Sequence, residues 1–138
     1  MIKLIIGKKG SGKTKLLIDK VNAAVHNTNG NVVCIEKGMK LTFEIDHAVR
    51  LIDADEYAIK GYDAFYGFVS GVLAGNYDIK EVFVHGILRI GEKAGAKDYD
   101  GLGALLEKLY KQIPADVTLV FTVSADQSEL PDSVLKFS

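Results

Sequence analysis

Cysteine is nearly absent from this chain. Cys34 stands alone, so no internal disulfide can form. With only His26, His47 and His85 to join it, the ligands for a structural zinc site are also missing. Arginine is almost as scarce: Arg50 and Arg89 are the only two. Net charge is just −1, which gives no general attraction to nucleic acid or to a membrane surface. No apolar run is long enough to cross a bilayer, and the first residues lack a signal peptide's order of basic, apolar and cleavage regions. These absences lead us to expect a soluble, cytoplasmic protein.

What remains is a globular balance, 48% hydrophobic and 25% charged over 138 residues. That length suits one domain, residues 1–138, with its own core. Lysines gather near the start (Lys3, Lys8, Lys9, Lys13 and Lys15) and set up a local positive field in a chain that is not basic overall.

Apolar runs alternate with helix-like stretches. Ile2–Ile6, NVVCIE (31–36), AVRLID (48–53), EVFVH (81–85) and VTLVFTV (117–123) read as strands. They lack the in-out alternation of a half-exposed strand, which predicts burial on both faces in a parallel sheet. Between them, Thr14–His26, Tyr62–Ala74 and roughly Gly101–Gln112 carry apolar residues at helical spacing. Tyr62, Phe65 and Tyr66 could be mistaken for a base-stacking platform, yet their spacing assigns them to core packing. Cys34, inside an apolar strand, reads as a small buried hydrophobe. The expected fold is a three-layer α/β/α domain with a mainly parallel five-stranded sheet, and Val134–Phe137 offers a short sixth strand.

One stretch carries a specific chemical signal. Gly7-Lys8-Lys9-Gly10-Ser11-Gly12-Lys13-Thr14 satisfies G-x-x-x-x-G-K-[ST] in full, between a buried strand and a helix. Its glycines let successive backbone N–H groups converge on phosphate oxygens, and the helix that follows adds its positive end. Lys13 then reaches the β- and γ-phosphates, and the Thr14 hydroxyl meets Mg²⁺. A chance match in a chain of this length is on the order of one in a hundred at typical residue frequencies.

This loop, with the strand and helix order around it, resembles the P-loop NTPase superfamily, in particular its RecA-like and thymidine-kinase-like cores. The small size is also similar to compact bacterial ATP-binding proteins of unassigned role. The resemblance implies a parallel sheet with the loop at its carboxyl edge and Mg²⁺-nucleotide as ligand. It also implies an acid at the end of a second apolar strand, where EVFVH instead ends in His85. Histidine suits Mg²⁺ poorly, because that ion prefers hard oxygen ligands. His85 could hydrogen-bond a phosphate or serve as a polar strand end.

Other polar residues close strands on the same edge. Glu36 resembles the water-activating glutamate of RecA-like ATPases, and Asp53 is a candidate Mg²⁺ ligand; either could equally be a solvated loop acid. Ser124, with Thr122 behind it, stands where many P-loop proteins contact phosphate or water. The stretch from Gly91 to Gly101 reads as a lid, a binding segment or a disordered loop. Its Lys93 and Lys97, with Arg89 upstream, could approach phosphates or remain ordinary surface cations.

The guanine-recognising N-K-x-D motif is absent, which favours ATP over GTP. Three functions stay open: an ATP- or GTP-hydrolysing protein with slow turnover, a nucleoside-type small-molecule kinase, and a non-catalytic module that recruits a protein partner. A thymidine-kinase zinc module cannot be built from one cysteine.

Overall fold

The computed structural model describes residues 1–38 and 40–138. Five strands form a single sheet: β1 (Ile2–Gly7), β2 (Asn31–Glu36), β3 (Arg50–Asp53), β4 (Ile79–His85) and β5 (Thr118–Ser124). Every pairing is parallel, and the order across the sheet is β1-β5-β4-β2-β3. The helices are α1 (Lys13–Asn27), α2 (Tyr62–Gly75), α3 (Ile87–Ile90), α4 (Tyr99–Gln112) and α5 (Asp132–Leu135), with a 3₁₀ turn at Gln127–Glu129.

The continuous apolar strands are explained by two cores, one on each face. Val32, Cys34, Phe83 and Val120 point to one side, where Leu17, Val21 and Ala24 of α1 meet them. Val33, Ile35, Val82, Val84, Leu119 and Phe121 point to the other, toward Phe65 and Val69 of α2 and the Leu102–Leu109 stripe of α4. Successive residues thus face opposite cores, as the pleat requires. Burial pushes the Cys34 thiol up to about 12, with the Glu36 charge adding to it, so this cysteine is an inert core residue.

The aromatic set behaves as core. Phe65 is fully buried, the Tyr62 hydroxyl donates to the Asp98 carbonyl, and the Tyr66 ring lies under the Lys108 ammonium at 4.1 Å.

Two expected strands need correction. Only Arg50–Asp53 of the third is extended, because the Asp46 side chain accepts from Ala48 N–H and the Asp46 carbonyl from Val49 N–H, which holds 46–49 in a turn. The tail forms no sixth strand. Pro131 sets a fixed φ of −72° and starts α5, whose Val134 is buried against α4. A four-residue stretch with three apolar residues is equally compatible with one helical turn.

Leu106 is fully buried at the α4–sheet contact. Leu106→Ala should lower unfolding free energy by about 2–5 kcal/mol, read from urea denaturation midpoints at unchanged slope.

Candidate functional site

Gly7 closes β1, and the chain then turns through residues 8–12 into α1. Gly10 and Gly12 lie at φ +86° and +88°, left-handed values that favour glycine and let the loop double back, and Ser11 N–H donates to the Lys8 carbonyl at 3.1 Å. Gly12 is the N-cap of α1, and no side chain caps this helix. Its first turn also contains no acid. The orphan N–H groups of a 15-residue helix are therefore left to the loop's concave side, with the helix dipole's positive end behind them. Lys13 folds back across the loop, and its ammonium donates to the Lys8 carbonyl at 3.1 Å. It is 8% exposed, and its pKa is lowered first by burial and then by the nearby Lys97 charge.

Parallel pairing brings the other candidates to the same edge. Gly7 is in register with Ser124, Glu36 with His85, and Glu36 with Asp53. From β1 the edge runs Ser124, His85, Glu36, Asp53. A cavity of about 630 Å³ opens above its first half. Lys9, Gly10, Gly12, Lys13 and Thr14 line it on the loop side, and His85, Ser124, Arg89 and Lys97 line it on the other. That size lies within the ordinary range of small-ligand sites.

His85 is held from behind. Its Nδ1 sits 2.9 Å from the Thr122 hydroxyl, which also accepts from Gly86 N–H at 2.8 Å. Thr122 is fully buried, so the sequence's second choice between Thr122 and Ser124 turns out to position His85, while Ser124 lines the cavity. The His85 pKa is lowered by burial first, then by the charges of Arg89, Lys13 and Lys40. The ring is consequently neutral at pH 7.

Glu36 and Asp53 are not brought to the cavity wall. Glu36 is 2% exposed, and its Oε1 accepts from Lys40 N–H at 2.7 Å and Leu41 N–H at 3.2 Å. Asp53 Oδ1 accepts from Gly38 N–H at 2.8 Å and Asp55 N–H at 2.9 Å. Both carboxylates therefore fasten the chain that leaves β2. The β3 end, where Asp53 stands, is four strand spacings from the β1 end, roughly 19 Å. Thr14, expected to share a metal with Asp53, lines the cavity without it.

The stretch from Gly91 contains a tight turn. Lys93 and Ala96 exchange backbone hydrogen bonds, with Ala94 and Gly95 between them at φ +53° and +77°. Positive φ at both central residues is the type I′ requirement. Asp98 then N-caps α4 by accepting from Gly101 N–H. Between turn and cap, Lys97 reaches the carboxyl edge and donates to the Ser124 carbonyl at 2.6 Å.

No family model matches this chain, and no curated protein does. Solved structures do match. One is the flagellar accessory protein FlaH from Methanocaldococcus jannaschii, at 17% identity and a TM-score of 0.57. The match covers 98% of this chain and 65% of that one, so this chain spans somewhat under two thirds of its structural neighbour. The fold is RecA-like.

Neutral His85 has a consequence for stability. A folded imidazole whose pKa lies below its ordinary 6.5 contributes stability that is complete above that value and lost as pH falls through the folded one. Urea midpoints should decline from about pH 6.5 downward, and His85→Gln should remove part of that decline.

Proposed function

We propose that this chain binds a nucleoside triphosphate, ATP in preference to GTP, in the cavity above the Gly7–Thr14 loop. The observation that carries this reading is the uncapped, acid-free N-terminus of α1, reached through two left-handed glycines and covered by Lys13. An anion at that point satisfies donors that the protein leaves unused. The backbone N–H groups of Lys8, Lys9, Gly10 and Gly12 would cradle the phosphates, and that of Ser11, which donates to the Lys8 carbonyl at 3.1 Å, would turn to join them. Lys13 would exchange the Lys8 carbonyl for a phosphate oxygen, and Ser124 and neutral His85 would approach the far end of the chain of phosphates. The match to a RecA-like fold supports nucleotide binding in general terms. ATP is favoured because the sequence contains no guanine-recognising motif.

The family resemblance also implies Mg²⁺, and the donor set here is a poor fit for it. Proteins usually hold Mg²⁺ through one or two carboxylates together with substrate phosphates. Thr14 supplies a hydroxyl to this cavity, but among the described residues no carboxylate lines it, and the strand-end position holds an imidazole whose pKa burial lowers. Among the described residues, no group of three or more potential His, Cys, Asp or Glu ligands converges.

The same wall argues for binding with slow turnover at most. Efficient hydrolysis needs a group that orients attacking water. Glu36, the residue with the family precedent, is tied to the backbone of 40–41 and stands off the cavity. We assign it a positioning role, holding the segment whose Leu41, Ile45 and Val49 are buried with α1. This favours a nucleotide-dependent binding module over a nucleoside-type kinase.

Lys13→Ala should weaken ATP binding at least tenfold in isothermal titration, with the folded state unchanged by circular dichroism; wild-type affinity in that variant would sink the reading. Glu36→Gln keeps an oxygen acceptor for both N–H groups. Phosphate release, however slow, should be the same in that variant as in the wild type, whereas a hundredfold loss would return Glu36 to a catalytic role.

A further inference from the structure

The cavity wall shows a charge imbalance that the phosphate loop alone does not explain. Among the described residues, Lys9, Lys13, Arg89 and Lys97 line it and no acid does. The ion pairs seen among the described residues lie elsewhere: Lys37–Asp55, Lys80–Asp116 and the Glu107 pairs with Lys111 and Lys136. The cavity cations lean instead on backbone carbonyls. Lys13 uses that of Lys8, Lys97 that of Ser124, and an Arg89 Nη2 that of Lys37 at a long 3.5 Å. A carbonyl contact satisfies a hydrogen-bond donor without forming an ion pair, and the carboxylates that feel these charges, Glu36 for Arg89 and Glu129 for Lys97, stand off the cavity wall. Burial is the first cause of the lowered pKa of Lys13 and of His85, and the neighbouring cations add to it: Lys97 for Lys13, and Arg89, Lys13 and Lys40 for His85.

Neither outer cation is there by accident of a loose loop. Lys97 is delivered by the type I′ turn at 93–96 and fixed by the Asp98 cap on α4. Arg89 projects from α3, whose Ile87, Leu88 and Ile90 are all buried. A wall of this kind is built for more negative charge than a metal-complexed triphosphate carries. Mg²⁺ removes two charges from its ligand, and the carboxylate that would repay its desolvation is missing here.

Building on the nucleotide-binding reading above, we propose that Arg89 and Lys97 perform the charge neutralisation usually left to a divalent cation. The metal-free nucleoside triphosphate is then the form this site prefers. Binding relaxes the repulsion among Lys13, Arg89 and Lys97, and Lys97 exchanges the Ser124 carbonyl for a phosphate oxygen. Arg89 offers a planar fork to the terminal phosphate.

The test is calorimetric titration of the full chain with ATP, once in EDTA and once in excess Mg²⁺. The proposal expects affinity in EDTA equal to or tighter than in Mg²⁺. It also expects Arg89→Gln and Lys97→Gln each to weaken metal-free binding about tenfold while changing Mg²⁺-ATP binding less. Affinity that falls tenfold or more in EDTA overturns this inference and leaves the nucleotide-binding reading standing. Equal losses in both conditions for the two variants likewise overturn it. No binding in either condition defeats the underlying reading instead. Thermal melts of both variants at wild-type temperature confirm that any loss belongs to the site.

Discussion

The parallel hydrogen bonding of the sheet is the constraint on which everything else rests. Because every strand runs the same way, every strand ends on the same edge. Residues far apart in sequence, Gly7, His85 and Ser124, are thereby set within a few strand spacings of one another. Burial on both faces fixes the register, since a one-residue slip would turn Phe83 and Val120 into the wrong core. The site inherits its backbone geometry from packing.

Strand order then divides the edge into two jobs. The β1-β5-β4 half bears the Gly7–Thr14 loop, Ser124 and His85 and opens into the cavity. The β2-β3 half bears Glu36 and Asp53, whose carboxylates accept backbone N–H groups from the segments that follow β2 and β3. These two acids tie down backbone, and Lys9, Lys13, Arg89 and Lys97 line the cavity. A buried carboxylate with two backbone donors is well satisfied. Burial nevertheless raises the Glu36 pKa, opposed by those same donors and by the charges of Lys40 and Arg89.

The fold was legible in the sequence because parallel strands covered on both faces produce mainly apolar runs, as in VVCI and VFV, while β1 at the sheet edge still reads as IKLII. The Gly7–Thr14 motif was legible because its eight residues stand in a row. Arg89 and Lys97 could be named from the sequence but not weighed. Their convergence on Lys13 is a tertiary fact spanning more than seventy residues, and a lysine in a glycine-bearing stretch has no local mark of purpose. The type I′ turn was invisible for a different reason. Ala94 stands at positive φ, where sequence patterns lead one to expect glycine or asparagine. The final stretch misled because three apolar residues in four cannot distinguish a strand from one turn of helix. The hydrogen bonds of Glu36 to the N–H groups of Lys40 and Leu41 join residues four and five apart, and no local pattern announced them.

The central claim is that the concave side of the Gly7–Thr14 loop is an anion seat completed by cations from across the edge. Amide-resolved NMR during titration with ATP tests it most directly. The account predicts that the largest shifts fall on Gly10, Ser11, Gly12, Lys13 and Thr14, with a second group at His85, Arg89 and Lys97. Shifts that leave the loop amides unmoved, or that cluster along β3 at the opposite side of the sheet, would contradict it.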